Sequence, residues 1–536
     1  MAGVRSPVAV LLLVSGLNAC GGSSGSNSPP SPVTQPPQQQ LPAPGAPLVR
    51  VSASSPFTAS CGGPLSGDTV YLNAEVESYA ATNPTNPANL VGIWQQDRWA
   101  NGGAQGLVVA ASFDSGNTWT RQALPVSQCS GDGDFARASD PWLTFSPNGV
   151  VYALSLSFTG GALEPNSKSG ILVLRSADGG MTWSGPVPLI MDGSTAFDDK
   201  CSMAADPHDA SFVYAVWDRL VTQTSGPTYF ARTTDGGQTW ERARAIYDPG
   251  ATAQTIGNEI VVLPDGTVVD FYTQIDTAAN GTMSSSLGVV RSSDHGTTWS
   301  GPIRIAANLA VGTKDSKTGQ PVRDGSGLGQ IALGPGGELF AVWQDARFSK
   351  GQRDGIAIAG STDGGLTWSA PAQLNGDPTT QAFTPSVQIQ PDGTIGVSYY
   401  DFRDDTADQS TLLTSYWLAQ STDGVQWRES RIAQPFDLEL APDSSGLFLG
   451  DYQGLVGTGG AFVPFFAQTN NDGTANRTDV YSLPPQASAV LAFKSARVEA
   501  AEAASQTPAF RRNVSANLQR LLQREVPGWD RIRRPP

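Results

Sequence analysis

The sequence predicts an all-β fold, a β-propeller of four-stranded blades. Three observations predict it: an eight-residue phrase that returns six times, its near-regular period, and the strand pattern between copies. The phrase, Ser/Thr-x-Asp-x-Gly-x-Thr-Trp, occupies residues 112–119, 176–183, 233–240, 292–299 and 361–368, with a shortened copy at 421–427. Its tryptophans stand 64, 57, 59, 69 and 59 residues apart. That period is too long for a helical hairpin and suits four strands with their loops. Within each copy the Asp carboxylate can fold onto nearby backbone N–H groups, the Gly takes a positive φ, and the Trp anchors the next strand.

Taken in order, the chain opens with Arg5, an apolar run over 8–14 and then Leu17-Asn18-Ala19-Cys20. This resembles a bacterial lipoprotein signal peptide over residues 1–20, with Cys20 as the acylated residue; an ordinary secretory signal is the alternative. Either exports the protein, and the first places it in the cell envelope, tied to a membrane through a lipid anchor only. Residues 21–47 are rich in Gly and Ser and then in Pro and Gln, so they read as a disordered tether. No other stretch is long and apolar enough to span a bilayer. The 59 glycines and 39 prolines fit a turn-rich fold, and a net charge of −15 disfavours nucleic acid as a partner. A monomer is expected. In an exported chain Cys61 and Cys129 form the favoured disulfide, with Cys201 left as a buried thiol.

The propeller spans 48–485. Each unit reads as an inner strand, a Pro/Gly turn, a hydrophobic second strand (90–94, 213–217, 339–343, 395–400), a third strand, the repeated phrase, and a fourth strand. Aligning on Pro84, Pro147, Pro207, Pro264, Pro335 and Pro391 puts Glu77, Asp140, Lys200, Gly257, Leu328 and Thr384 at equivalent places. A seventh inner strand near Asp451 is followed by strands at 461–469 and 477–483 without a phrase, while 48–54 alternates ahead of the first unit. The two ends can therefore share one composite blade, which favours seven blades over six and leaves no open sheet edge. The remainder, 486–536, reads as a basic helical tail with helices near 488–504 and 510–524, carrying nine Lys/Arg against four Asp/Glu from Lys494 onward.

The repeated phrase is that of the Asp-box, and sequences with several copies resemble the sialidase (neuraminidase) superfamily. The resemblance implies that the boxes lie on the rim, away from an active site at the opposite face. There the starts of inner strands and the ends of second strands converge. They bring Glu75, Glu77, Arg137, Asp140, Asp199, Lys200, Glu259 and Asp451 together with Arg98, Arg219, Arg347 and Arg403, a charged funnel mouth. With His208 and His295 the only histidines, a Ser/His triad or a His-rich zinc site is not credible. Carboxylates, tyrosine and arginine remain, the groups glycoside hydrolysis uses. The family's nucleophile is a Tyr activated by a Glu, beside an Arg cluster that holds a substrate carboxylate. On this chain that implies Tyr452 with Glu75 or Glu77, Asp140 or Asp199 as the acid, and Arg98, Arg219 and Arg347 as clamps.

The Arg-Ile-Pro motif that begins many sialidase domains is absent, so the clamp is not carried over directly. The Asp-Arg pairs can equally tie blades together. The Asp/Gly-rich loops 130–134 and 470–473 could hold Ca²⁺ or be plain Asx turns; no other cofactor is called for. The expected function is an exo-α-sialidase type glycoside hydrolase acting on a glycan. The alternative is a non-catalytic propeller that binds glycan or protein at the same mouth.

Overall fold

The computed structural model describes residues 47–59, 61, 69–131, 133–470, 473–485, 493–496, 498–499 and 506–525. Residues 1–46, with Cys20 and most of the tether, lie outside them, as do Asp132, Asn471 and Asp472 of the two Asp/Gly loops. The described chain is an all-β propeller of small antiparallel sheets. Strands Glu75–Thr82, Leu90–Arg98, Ala104–Ser112 and Thr120–Ala123 form one meander. Next comes Arg137–Phe145 to Val187–Asp192, joined to it by the pair Ala104–Ala138, and then Phe197–Ala205 to Arg244–Tyr247 and Ala253–Val262 to Ile303–Asn308. Further sheets run from Gln330–Leu333 to Ala372–Gln373 and from Ala382–Ile389 to Gln426–Arg431. In the last sheet Gly454–Gly457, Phe462–Thr469 and Thr478–Ser482 are completed by the N-terminal Val49–Arg50, with Val49 opposite Ser482.

The first strand of each sheet lines an axial channel of about 420 Å³, into which the turns after Thr82, Phe145 and Ala205 open. The repeat loops stand at that same end, because first and third strands run the same way. Each full copy closes as its residue types dictate. In the third copy the Asp235 carboxylate accepts from Thr239 N at 2.9 Å and Thr239 Oγ1 at 2.6 Å, and Thr233 Oγ accepts from Gly237 N at 2.9 Å. The shortened copy lacks the Thr; there Asp423 accepts from Gln426 N at 2.7 Å.

At the opposite end the inner strands share a device. Five of them slip register at one place, between Val76 and Tyr79, Ser139 and Trp142, Asp199 and Ser202, Ile256 and Glu259, and Phe383 and Ser386. The residue within each slip has a positive φ: Glu77 51°, Asp140 49°, Lys200 42°, Gly257 65° and Thr384 48°. These are β-bulges, which re-aim a side chain at the cost of local strain, and for a β-branched Thr that conformation is rare. Leu328, the remaining aligned position, lies in a turn before its strand, its N–H donating to Gly325 O at 2.8 Å.

Cys61 and Cys129 are disulfide-bonded with Cα atoms 5.4 Å apart, and Cys201 is a buried free thiol. The tail departs from expectation in its first half. Within 488–504 the described residues are strands, Phe493–Ala496 and Val498–Glu499, added to the outer edges at Gln426–Glu429 and Ala372–Gln373. An open sheet edge offers a row of unpaired backbone groups, and a short isolated helix is marginal in water, so the edge wins. The second half is the helix α1, Pro508–Glu525. No described helix is long and apolar enough to cross a membrane.

Candidate functional site

The bulges bring charge to the axis. Lys200 Nζ stands 2.7 Å from Asp451, 3.2 Å from Asp140 and 3.8 Å from Glu77, all four side chains buried. Arg323 reaches Asp451 from the other side, at 2.8 and 3.2 Å. Arg98 borders the group, donating to Gln95 Oε1 at 2.6 Å, and Gln95 in turn donates to Glu77. Arg98 and Arg323 both lie against the Phe448 ring, at 4.7 and 4.3 Å. Asp199 accepts from Lys200 N at 3.0 Å and lines the void beneath α1.

Two acids of this group, Glu77 and Asp451, are driven apart. Burial raises Glu77 well above the usual carboxyl range against the pull of Lys200, and Glu77 Oε1 has no hydrogen-bond partner. Burial alone would also raise Asp451, but Arg323 and then Lys200 outweigh it and hold this carboxylate well below its ordinary range. Such divergence is how one site keeps an acid and an anion side by side. Among the described residues no group of three or more His, Cys, Asp and Glu is arranged to hold a metal ion.

Other residues expected at the mouth are placed elsewhere. Tyr452 Oη donates to Pro141 O at 3.1 Å, and its ring packs edge-on against Trp142 and Tyr79. Burial, then Glu77 and Asp140, raise its phenol, the wrong direction for a nucleophile. Glu75 belongs to a separate buried patch, accepting from Gln96 at 2.6 Å, with Asp479 and Asp97 near enough to raise it further. Arg137 donates to Asn101 and Gly102 O and lies over Trp99. Arg219 forks onto Asp192 of the preceding sheet at 2.6 and 2.8 Å, and Arg347 onto Asp345 at 2.9 and 2.8 Å while reaching Ala307 O. Arg403 pairs with Asp401 and Glu429. Thus Arg219 and Arg347 tie neighbouring sheets, Arg403 braces two strands of its own sheet, and of the three expected clamps only Arg98 borders the axial group.

Glu259 lies past its bulge, where it lines the axial channel on the repeat-loop side; it accepts from Ile331 N at 2.8 Å, and burial pushes it up to about 8. A Tyr–Glu–Arg contact does exist, at Tyr399, Glu429 and Arg403, with Arg403 3.0 Å from the phenol oxygen. It is sealed within a sheet, Glu429 also accepting from Gly376 N at 2.6 Å, and does not open on the axis.

Sequence reasoning missed the occupant of the mouth. Helix α1 seats Phe510, Val514, Leu518, Leu521 and Leu522 in the same core cluster as Leu309, Leu328, Met283 and Tyr452. Arg323 donates to Arg524 O at 3.3 Å, and the Arg524 guanidinium lies 3.6 Å from Asp324. The apolar spacing of 510, 514, 518, 521 and 522 is the signal of an amphipathic helix, but it names no docking partner.

No family model matches the sequence. A curated sialidase of Micromonospora viridifaciens is 27% identical over 344 residues, 59% of this chain and 49% of the relative, so the chain spans about half the length of that relative. Among solved structures, a Hadza microbial sialidase superposes with a TM-score of 0.41 and 16% identity, covering 77% of this chain and 66% of that one. An α-L-arabinanase of Penicillium chrysogenum, complexed with arabinobiose, gives 0.41 and 13% over 82% and 99%. The six repeat loops, the small antiparallel sheets around an axial channel and the curated relative make this chain similar to the sialidase-like β-propellers.

Proposed function

We propose that this chain is an exported, lipid-anchored monomer that acts on glycans as a glycoside hydrolase, of the exo-α-sialidase type in fold, at the axial group of its mouth. Its ring is read as seven-bladed, the composite sheet completed by Val49–Arg50 being the last blade. One observation carries the chemistry: Glu77 and Asp451 meet on Lys200 with their proton affinities driven in opposite directions. Protonated Glu77 is the acid that gives its proton to the glycosidic oxygen as the bond to the leaving group breaks. Ionised Asp451 stabilises the oxocarbenium-like centre until water adds to it and returns a proton to Glu77, and Arg98 and Arg323 supply cationic hydrogen-bond donors for an acidic sugar. This pair takes the place of a tyrosine nucleophile, and no metal or other cofactor enters the scheme.

The test is turnover of a fluorogenic sialoside and a panel of aryl glycosides by the purified full chain. Glu77→Gln is expected to lower kcat by roughly 10²–10⁴-fold and Tyr452→Phe to leave it within about twofold. Equal loss in both variants would return the role to tyrosine. A second reading, a glycan-binding propeller without catalysis, is favoured by Tyr452 meeting Pro141 O rather than a carboxylate; it predicts saturable glycan binding with no turnover in any variant.

A further inference from the structure

Between α1 and the axial group the structure leaves a void of about 10 Å³, bordered by Arg98, Asp140, Asp199, Lys200, Arg323 and Arg524. A single water needs about 10–15 Å³ of such space, so no sugar ring fits between the helix and Lys200 or Arg323 while the helix is seated. The seat fits the helix closely. A Cβ added at Gly327 would come within 2.0 Å of Leu521 Cδ2, and one at Gly351 within 2.4 Å of the Phe510 ring. Polar contacts fix the register: Met283 N donates to Ser515 Oγ at 2.9 Å, and Asn517 Nδ2 donates to Ser326 Oγ at 3.0 Å. At its last turn the helix presents backbone carbonyls, the negative end of its dipole, to Arg323. A carbonyl oxygen therefore sits where the mouth's cation would take an oxyanion of a ligand.

The seat is also incompletely satisfied. Arg524 Nη1, Glu77 Oε1 and the nearby Asp218 Oδ1 have no hydrogen-bond partner, and Glu77, Asp140, Lys200 and Thr384 hold strained backbone below. Buried polar atoms left unmatched mark a state that gives up little when it opens. A groove of about 400 Å³ runs alongside, between α1 residues Asn513 and Arg520 and the loops with Lys314, Gln352 and Gln381, so solvent already reaches one flank of the helix.

We propose that α1 is a displaceable plug: it seals the axial group by occupying the ligand's place with its apolar stripe and C-terminal carbonyl, and the site works only when the helix lifts off. The proposal rests on the mouth being the active site, and it adds that the seated chain is the inactive form.

Two full-length variants open the plug from opposite sides. Leu518→Asp with Leu521→Asp removes the helix's grip, and Gly327→Leu drives a wedge beneath it without altering the helix. Hydrogen exchange reports seating apart from activity. In the unaltered chain, amides of 510–525 are expected to exchange at least roughly tenfold faster than those of the inner strands Arg137–Phe145 and Phe197–Ala205. In both variants the helix amides lose protection while the inner strands keep theirs, and sialoside turnover or glycan binding rises about tenfold or more. Helix and inner-strand amides exchanging in step would overturn the plug whatever the activity. So would unplugged, folded variants no more active than an active parent, and that outcome leaves the assignment of the mouth standing. Complete inertness of opened, folded variants toward every glycan removes both.

Discussion

Lys200 gathers carboxylates because its bulge turns the side chain onto the axis, 2.7 Å from Asp451 and 3.2 Å from Asp140. Counting seven back from each turn proline located Glu77, Asp140 and Lys200 at the bulges, because the distance from bulge to turn is fixed by strand geometry. Tyr452 was not legible: whether its hydroxyl meets a carboxylate or Pro141 O depends on how Trp142 and Tyr79 pack, and no local pattern encodes that. The Arg residues failed for a related reason, since Arg219 finds Asp192 on another sheet rather than its sequence neighbour Asp218. Glu259 supplies the pH test. Burial raises its folded pKa to about 8, so the folded chain holds a proton that the unfolded chain has released, and stability falls as pH rises from near 4.5 toward 8. Glu259→Gln is expected to leave the urea midpoint unchanged at pH 5 and to raise stability at pH 8.5 by on the order of 3 kcal/mol. Equal effects at both pH values would exclude the channel-side burial as the cause.

Elements were more legible than residues wherever the pattern carried its own partners. Each repeat loop is closed by groups within eight residues, so its geometry follows from its sequence alone. Residues 493–496 and 498–499 show the reverse: composition favoured a helix, yet the edges at Gln426–Glu429 and Ala372–Gln373, far off in sequence, decide for strands. The loops make a prediction at this scale. Asp235 and Asp363, held at about 2 by their Thr and backbone donors, stabilise the fold above the unfolded carboxylate range near 4, and that contribution is lost as pH falls through 2. Asp235→Asn and Asp363→Asn are expected to lower the thermal midpoint at pH 7, with the gap from the parent closing toward pH 2. Turnover should be untouched, because the loops stand at the end of the axis away from the mouth.

The molecule as a whole is held shut by its first strand. Val49 pairs with Ser482, Val51 N donates to Val480 O at 2.8 Å, and Arg50 meets Asp479 at 2.6 Å. Deleting residues 48–52 should strip Thr478–Ser482 of its outer partner and expose a free edge. We expect a lower urea midpoint, by at least the ~1.5–3 kcal/mol that burial of Val51 contributes, and concentration-dependent association in sedimentation. A monodisperse truncation of unchanged stability would show that the edge is covered some other way. The bulges carry a last consequence. In five inner strands the backbone offers the axis one aimed socket, and the chain has filled three with charge and two with Gly257 and Thr384. Chemistry at the mouth is thus interchangeable without rebuilding the scaffold: Gly257→Asn or Gly257→Asp would add a polar group to the same circle.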